Sequence, residues 1–570
     1  MLFYQKMKEL LHMHSGISYS FKIHNSYTIL KEFLDTVMDY ERGKINGLIV
    51  EEIRKEAKIL LADDLVIKSK YPELFEAIKE EIGTGLAIDK NNQSIEVKSI
   101  PKMNMMKEAV KQLFRTFTPI DYFKNSIALT KAAIDDNDGE KVVQLCPVIV
   151  SSSIMVGRSI SGMYKSIGVL FENQECQFAD NWKRWSASML NTESTYQCFI
   201  PIDEAYNNLV DIHYKGAEIK QQYVGAKNPD YIEDGAEYFF TEIKAPASDL
   251  PAIYNKVFSV YRNQMSIIEF ATAKVGQLEK SIVVRDDYNN SFVRIEQRET
   301  NREYVYKPFN QYHVNIDQAV KNFVDGLSPD DRAKVMGTIM NVCNFEGDSN
   351  EYGFLLLWSS LEALFRSSQF EKAMGAIKNT IPDIMTRRYV YYRLIDFIKD
   401  AEKAKVEYSY KGREFIKKSP SDDDIEALFE LLQDRGMFQQ LADLCKQKYV
   451  LLYYKCAEAR NMAINAGAMR NIIIHHREIL EFHLQRMYRV RNKFVHHAEI
   501  NENIEALYKH LLVYSWECIR EMAYVSKTRG IKSLEELYSY FRMNYKISLK
   551  CLQDVSSPIL FKNIKNGYLM

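Results

Sequence analysis

The chain has 570 residues, more than one ordinary domain holds, so two to four domains are expected. Glycine (23) and proline (13) are scarce against the usual ~7% and ~5%, which excludes collagen-like and Pro/Gly-rich disordered classes and leans the chain towards helix. Basic residues (75) balance acidic ones (76), so a globally basic nucleic-acid binder is excluded and any such site must be a local patch.

The N-terminal stretch MLFYQKMKELLHMHSG is interrupted by Lys6, Lys8 and Glu9, unlike a signal peptide. The eight cysteines are scattered, with no CxxC pair, as suits a reducing cytosol. Residues 1–135 carry apolar residues at helical spacing, as in SYTILKEFLDTVMDY and MNMMKEAVKQLFRTF. DDNDG at 135–139 reads as a loop, and VVQLCPVIV after it fits either a buried strand or a short helix. Residues 1–195 are grouped as a mainly helical N-terminal domain. From 196 to 310 Tyr, Val, Ile and Thr become frequent, and SIVVRD and SFVRIEQ flank the turn sequence DYNN, with REYVYKP further on. These runs predict hairpins or a meander. Helix resumes over 313–343, with Ser328 ahead of Pro329 as an N-terminal signal. The whole of 196–345 is expected to be a mixed α+β, β-rich domain, closed by the polar string NFEGDSN at 344–350.

From 351 to 526 the pattern predicts a helical bundle, with helices near 352–368, 370–378, 383–402, 422–447, 448–467, 473–497 and 502–526, the last capped by Asn501 or Asn503. The expected bundle domain spans 346–530 and the expected tail 531–570. The longest notable apolar run, FLLLWSSLEALF at 354–365, is about half a membrane span and contains Glu362, so no membrane association is expected.

Six of the eleven histidines fall between 475 and 510: His475, His476, His483, His496, His497 and His510. Between Arg470 and His497 lie six basic residues (Arg470, Arg477, Arg486, Arg489, Arg491, Lys493) and two acids (Glu478, Glu481), a local surplus of four. Such a surplus on a balanced protein fits a phosphate-binding surface, although a charge cluster alone is more often the solvated face of a helix. At about 100° per residue, Leu484, Met487 and Phe494 share a stripe with Leu480, and Arg491 falls in its middle. A guanidinium on a core-facing stripe needs a partner or a cleft. Positions 491 and 496 are about 140° apart on a straight helix. Either the helix ends or bends there, or a second copy completes the site.

The string RMYRVRNKFVHH contains Arg491-Asn492-Lys493-Phe494-Val495-His496, an R-N-x-x-x-H pattern. With YGFLLLWSSLEALF opening the bundle and LYKHLLVYSWECIREM following the motif, residues 350–526 resemble the HEPN superfamily, in particular its Apea-like branch among bacterial anti-phage abortive-infection proteins. The resemblance implies a helical bundle acting as a metal-independent endoribonuclease without cofactor, usually as a dimer with two motifs facing one cleft. It implies catalytic roles for Arg491, Asn492 and His496, with His497 as the rival histidine. Glu362 is a supporting candidate that could pair with Arg491 and hold it. Arg486, Arg489 and Lys493 are expected to meet RNA.

The chemistry suits these residue types. RNA carries its own nucleophile, the 2′-hydroxyl, so an enzyme needs a base, an acid and positive charge at the phosphorane-like transition state. Histidine titrates near neutrality, and arginine matches phosphate geometry. The overall expectation is a multidomain, mainly α, cytoplasmic protein. Its partners would be an RNA substrate (tRNA among the candidates), a second copy or a higher even number through the C-terminal bundle, and a phage-derived trigger or regulatory protein. The N-terminal region would sense or regulate. The alternative is a HEPN-like module used only for RNA binding or protein interaction. His12-Met13-His14 has no partner at metal-ligand spacing. No GxxxxGKS/T, Rossmann, HExxH or GxSxG pattern occurs.

Overall fold

Apolar residues at helical spacing dominate up to Leu190, and in the computed structural model the described residues of this region are mainly helical. Its helices include Leu2–Leu11, Ser26–Glu41, Gly47–Ala62, Pro72–Gly83, Ile100–Thr116, Pro119–Asp135, Gly139–Met155, Ile160–Phe171 and Phe178–Leu190. The structure describes the chain except residues 13–23, 90–92, 173–176, 192, 203–212, 247–248, 273–280, 288, 297–315, 344–349, 371, 498–503, 554–558 and 569–570. For residues 213, 268–272, 316–317, 350–351, 496–497 and 505–506 it describes the backbone only. Contacts divide the chain into two units, 2–299 and 300–570.

In the first unit the helices start where the local chemistry allows. Thr118 accepts from the backbone N–H of Asp121, Asp121 reaches back to the N–H of Thr118, and Pro119 occupies the first turn. The ambiguous VVQLCPVIV segment is helix, Gly139–Met155. Val142, Leu145, Cys146, Ile149 and Val150 are buried at i, i+3, i+4, i+7 and i+8, a helical period that outweighs the β-branched content and the internal Pro147. Phe3 packs edge-on against Trp182 and Trp185, with ring centroids 4.8 and 5.2 Å apart, and anchors the first helix to the last.

The β-rich region forms a five-stranded antiparallel sheet from β1 (Ser194–Pro201), β2 (His213–Lys215), β3 (Glu237–Ala245), β4 (Ser281–Asp286) and β5 (Ser291–Glu296), in the order β2-β3-β1-β4-β5. The expected hairpin is present: β4 and β5 pair with Asp286 opposite Ser291, and Asn290 in the connection has φ 49°. REYVYKP lies outside the described residues. A helix that the β-like composition concealed, Leu250–Thr272, packs on the sheet through Ile253, Val257, Tyr261 and Met265. Its period of four was available in the sequence, but the frequent Val and Tyr read as strand. Asp249 fixes its start, accepting from the N–H of Ala252 and from that of Ser159 at 2.8 Å.

Among the described residues, the second unit is helical apart from a two-stranded hairpin at Ser409–Tyr410 and Arg413–Glu414. Ile316–Gly326 and Pro329–Cys343 were grouped by sequence with the β-rich segment, yet the contacts place them in this unit. Thr338 donates to the Ser360 carbonyl, and Asn341 to that of Leu356. Ser328 Oγ accepts from the N–H of Asp331, as expected of a helix start. The boundary string 344–349 and the candidate caps Asn501 and Asn503 lie outside the described residues. The single helix expected over 422–447 is two, Asp422–Gln433 and Arg435–Lys448. Asp434 ends one and caps the other by accepting from the N–H groups of Gly436 and Met437. Residues 373–403 break at Arg387–Arg388. Residues 531–570 are not a separate tail. Leu534–Cys551 buries Leu537 and Phe541 in the unit, and the Tyr538 hydroxyl donates to the Leu364 carbonyl. Among the described residues no helix is long and apolar enough to cross a membrane.

Candidate functional site

The R-N-x-x-x-H string ends a 32-residue helix, Ala466–His497. The helix runs unbroken through position 496, so the bend considered from sequence does not occur before His497. The side chains of His496 and His497 lie outside the described residues. Leu480, Leu484 and Met487 are fully buried, as their shared stripe predicts, and Phe494 is half-buried. In the middle of the helix every residue from His483 to Met487 is buried, so that segment has no solvated face at all.

This wrapping corrects the reading of the basic cluster as one surface. Arg486, expected to meet RNA, is only 7% exposed. Arg477 is taken by acids: its Nε donates to Asp383 Oδ1 at 3.0 Å, and it also pairs with Glu481. Burial raises the Asp383 carboxyl, against the pull of Arg477. Asp383, on the Ala373–Thr386 helix, and Glu362, on Asn350–Leu364, cut the surplus of four to two. These partners come from elsewhere in the chain, which is why counting along one helix missed them. Arg489 is half-buried and Lys493 exposed.

The histidine cluster also divides. His475 is exposed. His476 stacks flat on Tyr389, ring centroids 3.7 Å apart, and burial drives its pKa down to about 3. His483 Nδ1 lies 2.8 Å from the Tyr514 hydroxyl, and the His510 ring is 5.0 Å away. Burial lowers the His510 pKa to about 4. These three are interior side chains, not the lining of a cleft.

Arg491, Asn492 and Glu362 do come together. Trp358, fully buried, is four residues before Glu362 on the same helix face, and its indole N–H donates to Glu362 Oε1 at 2.8 Å. The other carboxylate oxygen, Oε2, is 3.6 Å from Arg491 Nη2. Arg491 Nη1 donates to Asn492 Oδ1 at 3.1 Å. The Tyr488 ring, one turn earlier, lies 6.2 Å from that of Trp358. Both Glu362 and Arg491 keep 25% of their side-chain surface open. Apolar packing thus holds a guanidinium and a carboxylate in contact at the surface, where both still reach solvent.

A second ionic cluster had no signal in sequence, because its members come together only by folding. Arg387 and Arg388, at the helix break, meet Glu521 on the Ile504–Arg529 helix at 2.9 and 3.5 Å. Tyr392 donates to Glu521 Oε1 at 2.6 Å, and Arg520 donates to the Tyr392 hydroxyl and pairs with Glu517 at 3.0 Å. Burial opposes the charge of Glu521, but Arg388, Arg387 and Arg520 outweigh it and hold the carboxyl down to about 2. Glu517 goes the other way. Burial raises its carboxyl to about 7 despite Arg520, and the Glu521 charge adds to the rise.

Comparison of the chain with protein-family models, curated proteins and solved structures gives no match.

Proposed function

We propose that the second unit is a HEPN-type, metal-independent endoribonuclease, with Arg491 binding the scissile phosphate, Asn492 orienting Arg491 and His496 transferring a proton. The observation that carries this reading is the open Arg491–Glu362–Asn492 constellation at the end of the motif helix. A guanidinium fixed by a carboxylate, with part of its surface free, is preorganised for a phosphate oxygen that gains charge in the transition state. Exposed Lys493 and half-buried Arg489 flank it, and they carry the RNA-binding role without Arg486. Positions 491 and 496 fall on different faces of an unbroken helix, which favours two copies sharing one cleft, related by a two-fold axis. In the cell such an activity fits anti-phage abortive infection in the cytoplasm, with the first unit as sensor or regulator. The test compares RNA cleavage by Arg491→Ala, His496→Ala and an equimolar mixture of the two chains. Each variant alone is expected to be inactive and the mixture partly active. Wild-type rates in both variants would refute the assignment.

A further inference from the structure

We propose that Glu362 is the general base of this ribonuclease, taking the proton from the 2′-hydroxyl that attacks the phosphate bound at Arg491. The inference rests on the ribonuclease reading and gives chemistry to a residue that this reading treats only as support for Arg491.

Three features distinguish Glu362 from a structural partner. The first is access. The buried pair Arg387–Glu521 has side chains 1% and 4% exposed, and Asp383 opposite Arg477 is at 4%, whereas Glu362 and Arg491 are both at 25%. The second is spare acceptor capacity. An ionised carboxylate offers about four lone-pair positions. Trp358 N–H takes one and Arg491 a second, at a long 3.6 Å. The remainder can accept from a substrate hydroxyl. The third is placement. In RNA the 2′-oxygen neighbours the phosphorus, so a phosphate on Arg491 brings that hydroxyl beside the arginine's carboxylate partner. The buried indole fixes the carboxylate through one oxygen, which is the preorganisation a catalytic base needs.

In the step that follows, the O2′–P bond forms as the hydroxyl proton passes to Glu362. The P–O5′ bond breaks, and the departing 5′-oxygen takes a proton from the His496 imidazolium. The products are a 2′,3′-cyclic phosphate and a free 5′-hydroxyl. Exchange of one proton with water at each residue resets the pair. Base and acid are then different chemical groups, and one histidine per cleavage suffices.

The experiment is single-turnover cleavage of a labelled RNA by the full-length protein across the range where carboxylates and histidine titrate, using wild type, Glu362→Gln, Glu362→Asp, Glu362→Ala and Arg491→Ala. Glu362→Gln is expected to lose about 10²–10⁴ in rate while RNA affinity and thermal midpoint stay near wild type. The acidic limb of its rate profile should vanish. Glu362→Asp should keep that limb at reduced rate. Added formate should partly restore Glu362→Ala. An unchanged acidic limb in Glu362→Gln, a rate within about tenfold of wild type, or no response of Glu362→Ala to formate would overturn the base assignment. If Arg491→Ala is inactive in that case, the ribonuclease reading survives. Full activity in Arg491→Ala would instead strike the ribonuclease reading itself, and absence of cleavage by wild type would end both.

Discussion

Replacing Glu517 with glutamine should stabilise the protein above neutral pH and leave it unchanged in mild acid. Glu517 pairs with Arg520 at 3.0 Å, but its side chain is only 13% exposed, and burial raises its carboxyl from an ordinary 4.5 to about 7. Between these values the folded chain keeps the proton and the unfolded chain has released it. The unfolded state therefore binds fewer protons, and stability falls as pH rises through this window. At 1.36 kcal/mol per tenfold, the full displacement costs roughly 3 kcal/mol once both states are ionised. Glutamine has the shape of the protonated acid and cannot ionise, so it escapes that cost. The assay is urea unfolding of both proteins at several pH values, with the difference taken at each pH. Other titrating groups then cancel, His476 and His510 included. The difference should grow from near zero close to pH 4.5 to roughly 3 kcal/mol in favour of the variant above pH 7. A difference that stays flat with pH, or a variant less stable than wild type in alkali, would show that Arg520 outweighs burial and would refute the reasoning.

Other outcomes follow from the same packing. His476 and His510 are held neutral, with pKa values pushed down to about 3 and about 4, so their contribution is complete above the ordinary 6.5 and is lost as pH falls towards those values. Unfolding midpoints measured from neutral to acid pH should drop less steeply in the His476→Gln, His510→Gln double variant; an unchanged slope would contradict the burial argument. Gly353 lies on the Glu362 helix against Tyr508, where an added Cβ would stand 2.8 Å from ring carbon Cε1. Gly353→Ala should cost about 1–3 kcal/mol in unfolding free energy, and a neutral result would show that Tyr508 moves aside freely.

Much of the helical fold was legible because it depends on local chemistry. The start at Ser328–Pro329, the hairpin across 287–290 and the long motif helix all follow from a few neighbouring residues. What was not legible depends on partners distant in sequence. Arg486 carries no mark of burial in the sequence, and its 7% exposure is set by how the folded unit packs around it. Asp434 reads as one more acid in a helical run until its carboxylate is seen to cap the next helix. The Leu250–Thr272 helix was concealed by composition although its period was plain. Within the candidate site, the pairing of Arg491 with Glu362 was accessible because both residues lie on or beside apolar stripes where an unpaired charge is costly. The indole of Trp358 as the second anchor of Glu362 was not, since a tryptophan in an apolar run reads first as core.

The central claim is that Arg491 and His496 cut RNA without a metal. The most direct measurement is incubation of the purified full-length protein with total RNA in EDTA, beside Arg491→Ala and His496→Ala, with the ends of every new fragment identified. The account predicts cleavage by wild type alone, leaving 2′,3′-cyclic phosphate or 3′-phosphate ends. Intact RNA with wild type, cleavage that requires added Mg²⁺ or Mn²⁺ and leaves 5′-phosphates, or equal cutting by both variants would contradict it.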